Sequence, residues 1–123
     1  MAAQGLFLSE AFYWDLNDLT RAFSTRFAKR MDGRMPTEDQ AAAYSATLAY
    51  LRAVKTTNSM GQAVIEKMRS APIHDPLFGT VVVRPDGRAI HPMYVFKVKT
   101  PQQSTSRYDL YELVETIPAE RAF

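Results

Sequence analysis

Apolar and polar positions change period several times along this chain. From Leu6 to Trp14 the residues are apolar apart from Ser9 and Glu10, and the run ends in Phe12, Tyr13 and Trp14. A short apolar run bounded by Gly5 and Asp15 predicts a strand near 6–14. Leu16, Leu19, Phe23, Phe27 and Met31 then recur at three- and four-residue spacing, the stripe of a helix near 16–31. Asp15 is placed to cap that helix, and Asp32-Gly33 to stop it. Thr37-Glu38-Asp39-Gln40 fits a capping box, in which Gln40 reaches back to the Thr37 amide and opens a helix near 38–56. Ala41, Tyr44, Leu48, Leu51 and Val54 are its expected buried face. Ser59-Met60-Gly61-Gln62 offers a second box and a shorter helix near 60–70, ended by Pro72.

The rest of the chain reads as strands. Val81-Val82-Val83 falls in a strand near 80–84. Arg84-Pro85-Asp86-Gly87 is a turn, with Pro at its second position and Gly where positive φ is needed. Met93 to Lys99 alternates, so a half-buried strand is expected near 92–99. Gln102 to Arg107 reads as a mobile polar loop, and a last strand is expected near 108–114. Three helices therefore separate the first strand from any partner. The expected fold class is α/β, with three helices and about four strands in one unit spanning 1–123.

Composition narrows the classes. A hydrophobic share of 46% over 123 residues can build a core, so the chain is not a disordered one. A net charge of +2 is too small to argue for nucleic acid. No apolar run is long enough to span a membrane. Without cysteine there is neither a disulfide nor a thiolate nucleophile. Met1-Ala2-Ala3-Gln4-Gly5 has neither the basic start nor the long apolar run of a signal peptide.

The candidate chemistry is sparse. Phe12-Tyr13-Trp14, followed at once by Asp15, stands where a strand hands over to a helix, the usual place of a ligand crevice in α/β proteins. The same aromatics serve equally as core. The start of the second helix, with Thr37 and Gln40, could hold a carboxylate on its free amides, or those residues could simply cap it. His74-Asp75 and His91 lack the convergence of a metal site. Ser104, His74 and Asp75 make a triad only on paper, since no nucleophile elbow is present and adjacent His and Asp do not orient each other. Arg21, Arg26, Lys29, Arg30 and Arg34 read as a solvated helix face. No enzymatic activity and no cofactor are expected.

Read together, Phe12 through Asp18, Met35-Pro36-Thr37, Gln40, Tyr44-Ser45-Ala46 and Thr116 through Glu120 resemble the C-terminal part of a bacterial family. Its members are the type I periplasmic solute-binding receptors of ABC importers for branched-chain amino acids and similar small carboxylates. The resemblance runs from about Gly5 to Phe123. It implies a C-terminal fragment of a two-lobed receptor, with three crossovers joining the lobes and the solute clamped between them. It places Tyr13, Trp14 and Asp15 at the cleft with Gln40 nearby, a permease as partner, and the periplasm as compartment. It also implies that most of the solute's grip lies in sequence absent here, and that a fragment with uncovered apolar faces forms homo-oligomers. The competing expectation is a self-contained protein–protein interaction module with no small-molecule ligand.

Overall fold

A computed structural model describes residues 3–123 of the chain. The elements are β1 (Phe7–Glu10), α1 (Asp18–Ala28), α2 (Glu38–Thr57), α3 (Gln62–Arg69), β2 (Ile73–Asp75), β3 (Gly79–Val83), β4 (Ala89–Ile90), β5 (Met93–Val98), β6 (Tyr111–Ile117) and α4 (Ala119–Ala122). The α/β class stands, with six strands in two three-stranded sheets and a fourth, short helix. One sheet has the order β1-β5-β6 and the other β2-β3-β4, and every pairing is antiparallel. β1 skips the helices and pairs with β5, Leu8 opposite Phe96 and Glu10 opposite Tyr94.

Two units result. The helices gather with β2-β3-β4 into a helical unit, whose core joins Ala11, Phe12, Phe23, Ala41, Leu77, Phe78 and Val81. The strand unit is β1-β5-β6, with Phe96 at its centre. Phe12 and Phe96 are each 1% exposed, and burial of such a side chain is worth about 2–3 kcal/mol. The chain passes between the units three times: after β1, between β4 and β5, and between β6 and α4.

The local chemistry explains where the boundaries move. β1 stops at Glu10 rather than Trp14, because the Ala11 amide leaves the sheet and donates to Glu38 Oε2 at 2.9 Å. Asn17, not Asp15, caps α1, accepting from the Leu19 and Thr20 amides at 3.0 Å each. The Thr20 hydroxyl in turn accepts from the amides of Leu16 and Asn17. That cap turns Thr20 inward, so the buried stripe is Thr20, Phe23, Ser24 and half-buried Phe27, while Leu19 and Met31 face solvent.

The first capping box forms as expected, with Gln40 Oε1 accepting the Thr37 amide at 2.7 Å. The second does not. α3 opens at Gly61, whose φ of +74° a side chain would strain, and Gln62 spends its amide on Glu66 at 3.0 Å. The Arg84–Gly87 turn closes through the Gly87 amide on Arg84 O at 2.9 Å, with φ +88° at Gly87. β2 and β4, unread in the sequence, are only three and two residues long. β6 starts at Tyr111 because Asp109 is committed to the preceding loop.

Candidate functional site

The first passage between units, residues 11–17, is where the candidate residues gather. Its neighbouring aromatics are rooted in opposite units. Phe12 packs edge-on to Phe23 at 6.1 Å and tilted against Phe78 at 6.3 Å, within the helical unit. Tyr13 turns the other way, 5.3 Å from Phe96 and 5.2 Å from Tyr111 in the strand unit. Trp14 lies 5.9 Å from the Tyr13 ring and packs against the helical core. The alternation expected of a strand thus survives, although this segment is not one.

Polar groups fix the same passage. Tyr13 Oη donates to Tyr108 O at 3.0 Å, and Trp14 Nε1 donates to the same carbonyl at 2.8 Å. Tyr13 Oη also accepts from the Leu110 amide at 3.1 Å. The loop they hold is braced from within: Asp109 accepts from Lys99 Nζ at 2.5 Å and from the Thr105 amide at 2.9 Å. The Lys99 ammonium, hydrogen-bonded to Asp109, together with the Thr105 amide, holds the Asp109 carboxyl down at about 2. This network ties Thr105, within the 102–107 loop, to Asp109 by its amide and its hydroxyl.

Asp15 pairs with Arg21 at 2.9 Å, and Arg21 also holds Asp18 at 2.7 Å; Asp15 and Arg21 are partly open to solvent and Asp18 is almost fully exposed. Gln40 is exposed and uses Oε1 on both the amide and the hydroxyl of Thr37, at 2.7 Å each. Tyr13, Trp14 and Asp15 therefore come together, and among the described residues no hydrogen bond links Gln40 to them.

Sequence reasoning missed Glu38. It carries the bond to the buried Ala11 amide and joins the start of α2 to the first passage. No local pattern announces a contact between residues so far apart. Glu10 on the neighbouring strand end has its carboxyl pushed up, first by burial and then by the charges of Glu38 and Asp39. Burial likewise raises the Tyr94 phenol opposite Glu10 in the sheet. The two-residue spacing of Tyr94, Phe96 and Val98 was the available signal that they share one face, and the pairing of Leu8 with Phe96 adds Leu8 to it.

The second passage holds His91, whose Nδ1 lies 3.0 Å from Pro92 O and whose ring packs on Phe78 at 5.4 Å and Phe123 at 5.2 Å. The third turns at Pro118 into α4, which packs back on β4. The paper triad dissolves. His74 is exposed on β2, while Asp75 is buried, accepting from Ser45 Oγ and from the Leu77 and Phe78 amides at 2.8 and 2.9 Å. Ser104 Oγ donates to Ser106 O. Among the described residues no cluster of three or more metal-ligating side chains occurs, and no helix is long and apolar enough to cross a membrane. A pocket of about 310 Å³ opens between α2, α3 and the small sheet, lined by Ala42, Ala46, Ala49, Met68 and Val81 among others.

Known proteins share this arrangement. A periplasmic binding protein from Burkholderia mallei is 36% identical, with a TM-score of 0.93 over 98% of this chain and 32% of its own. A branched chain amino acid ABC transporter periplasmic ligand-binding protein from Burkholderia xenovorans LB400 is 38% identical, with a TM-score of 0.94 over the same shares. An ABC-type branched-chain amino acid transporter protein from Rhodopseudomonas palustris CGA009 is 26% identical, with a TM-score of 0.73 over 96% of this chain and 32% of its own. The chain thus spans about a third of the length of the structures it matches. Among curated proteins no match is found. With the periplasmic binding protein sequence pattern matched over residues 1–105, a helical unit and a strand unit, and three passages between them, the chain belongs to the periplasmic binding protein family.

Proposed function

We propose that this chain is the C-terminal part of the extracytoplasmic receptor of an ABC importer, with a branched-chain amino acid or similar small carboxylate as its solute. The ABC permease is the receptor's partner and the periplasm its compartment. The observation that carries this reading is the threefold passage between two units, with the first passage rooted on both sides by Phe12 and Tyr13. A solute held between two such units gains affinity by closing them, and closure needs connecting segments that stay intact while the angle changes. The names of the two Burkholderia relatives and the 36% and 38% identities add support.

In the proposed receptor Tyr13, Trp14 and Asp15 border the cleft, with Gln40 nearby. The Tyr13 hydroxyl and the Trp14 indole N–H are already engaged, so half-buried Trp14 would offer its ring, while Tyr13, buried against Phe96 and Tyr111, would border the cleft from behind. Asp15 accepts one hydrogen bond from Arg21 and keeps lone pairs for an ammonium group. Gln40 spends its oxygen on Thr37, which leaves its NH₂ free to donate to a carboxylate.

The test is calorimetry on the whole receptor with branched-chain amino acids and small aliphatic and aromatic carboxylates. Binding of one of these, weakened by Trp14→Ala and Asp15→Ala more than folding is, supports the reading. Unchanged affinity in both variants removes these residues from the site, and no binding to any member of the panel sinks the solute class.

A further inference from the structure

The loop between β5 and β6 holds Trp14 without belonging to its unit. Trp14 packs against the helical core, yet its indole N–H donates to the Tyr108 carbonyl, 94 residues along the chain and in the strand unit. That carbonyl takes three donors: Trp14 Nε1 at 2.8 Å, Tyr13 Oη at 3.0 Å and the Leu110 amide at 3.0 Å. The direction of the Tyr108 oxygen therefore fixes the plane of a half-buried indole.

The next residue fixes the carbonyl in turn. Asp109 is 7% exposed. Its carboxylate accepts from Lys99 Nζ at 2.5 Å and from the Thr105 amide and hydroxyl at 2.9 Å each. The main chain is tied on both sides as well. The Asp109 amide donates to Ser106 O at 3.2 Å, and the Lys99 amide to Leu110 O at 2.8 Å. Apolar packing adds little here, because a pocket of about 400 Å³ opens along the loop, lined by Val98, Thr100, Thr105 and Leu110 among others. A carboxylate and an ammonium drawn out of water lose in hydration much of what their attraction returns. A Lys–Asp pair at this spot is thus better suited to fixing one geometry than to adding stability. A side chain that meets a ligand needs such support, since its rotamer must be held by its neighbours.

We propose that Lys99 and Asp109 are positioning residues for Trp14: through the Tyr108 carbonyl they set the indole plane, so the strand unit determines how a side chain of the helical unit meets the solute. This deepens the reading of Trp14 as part of the cleft and rests on it.

The chain has one tryptophan, so the isotope-labelled chain gives a single indole N–H resonance in NMR. Asp109→Asn keeps an acceptor oxygen for Thr105 and loses the charge that Lys99 meets. Lys99→Met keeps the stem and loses the ammonium. Both are expected to move the indole resonance and to speed its exchange with solvent about tenfold or more. Lys99→Arg keeps a cation and should hold the resonance near its wild-type place. Val64→Ala, at a residue 0% exposed on α3, is the control for lost stability alone and should leave the indole where it is. An unmoved indole in Asp109→Asn and Lys99→Met overturns the proposal, as does an equal movement in Val64→Ala, the mark of a merely structural role. Should the first two variants not fold, Thr105→Val at an exposed position removes one of the three bonds to Asp109, and an unmoved indole there overturns the proposal by the same measurement. Calorimetry on the whole receptor separates this from the cleft reading. Asp109→Asn should weaken solute binding no further once Trp14→Ala is present, since both act through one ring. Binding weakened by Trp14→Ala and untouched by Asp109→Asn sinks the positioning and leaves the cleft reading standing. An indole moved by Asp109→Asn, with affinity unchanged by Trp14→Ala, sinks the cleft reading and leaves the hold on the ring standing.

Discussion

Replacing Tyr13 with phenylalanine deletes one oxygen and leaves the ring between Phe96 and Tyr111 in place. No cavity forms, so the change isolates the hydroxyl. Three hydrogen bonds involve it: one donated to Tyr108 O at 3.0 Å, and two accepted, from the Leu110 amide at 3.1 Å and the Tyr111 amide at 3.4 Å. The Tyr108 carbonyl keeps the Trp14 indole, so it is not orphaned. The Leu110 amide keeps a second partner in Tyr108 O. Both facts hold the penalty below that of a fully stranded group, and about 1–2 kcal/mol is expected. With a urea slope of about 2 kcal/mol/M, the unfolding midpoint falls by roughly 0.5–1 M at unchanged slope. Hydrogen exchange at the Leu110 and Tyr111 amides should quicken more than elsewhere. A midpoint shift within error, with those two amides exchanging as before, would refute the reasoning. It would return the Tyr13 hydroxyl to the pool of groups free to meet a solute.

Glu38→Ala strands the Ala11 N–H, which lies in a residue 1% exposed, and is expected to cost about 1–3 kcal/mol in chemical denaturation. Glu38→Gln keeps an acceptor oxygen and should recover most of it, so equal losses in the two variants would count against the bond. The Asp109 carboxyl sits at about 2 in the folded chain against an ordinary 3.8. A folded value below the unfolded one means its stabilisation is present above about 3.8 and lost as pH falls through about 2. Melting followed between those limits should show that loss, and Asp109→Asn should remove it; an unaltered acid slope in the variant would rule out Asp109 as its source. The open edges of β1 and β6, beside exposed Phe7 and Val114, should drive the isolated chain to dimerise at micromolar concentration, and a concentration-independent monomer in sedimentation would refute this.

The elements most legible in the sequence were those whose cause is local. The Thr37–Gln40 box, the Arg84–Gly87 turn and the existence of all three long helices follow from neighbours in the chain. What stayed hidden depends on partners far along it. β1 ends at Glu10 because Glu38 takes the next amide, and no window around Glu10 contains Glu38. The inward stripe of α1 shifted because a cap hydroxyl, Thr20, displaced Leu19 from the face that hydrophobicity alone would choose. In α2 the large residues Tyr44 and Leu51 were expected inside and stand outside, since hydrophobicity marks what is to be buried and not by whom. Strands β2 and β4 are too short to carry a period. Of the candidate site, the clustering of Tyr13, Trp14 and Asp15 was readable from adjacency, whereas the commitment of both aromatic polar groups to Tyr108 was not, because it spans about ninety residues.

The pairing of β1 with β5 has a consequence for the order of folding. In topological terms all of the helical unit except the terminal α4 is an insertion within a three-stranded sheet, entering after Glu10 and leaving before Met93. Were that insert still unfolded, bringing Glu10 opposite Tyr94 would cost about 4 kcal/mol in loop closure alone. A four-residue strand cannot offset that sum. Once the helical unit has folded, its own two ends hold the strands side by side and the cost has already been met. β1 is thus separated from β5 by the whole span of the three long helices and the small sheet, so the strand unit acts as a reporter on a helical unit that has already folded.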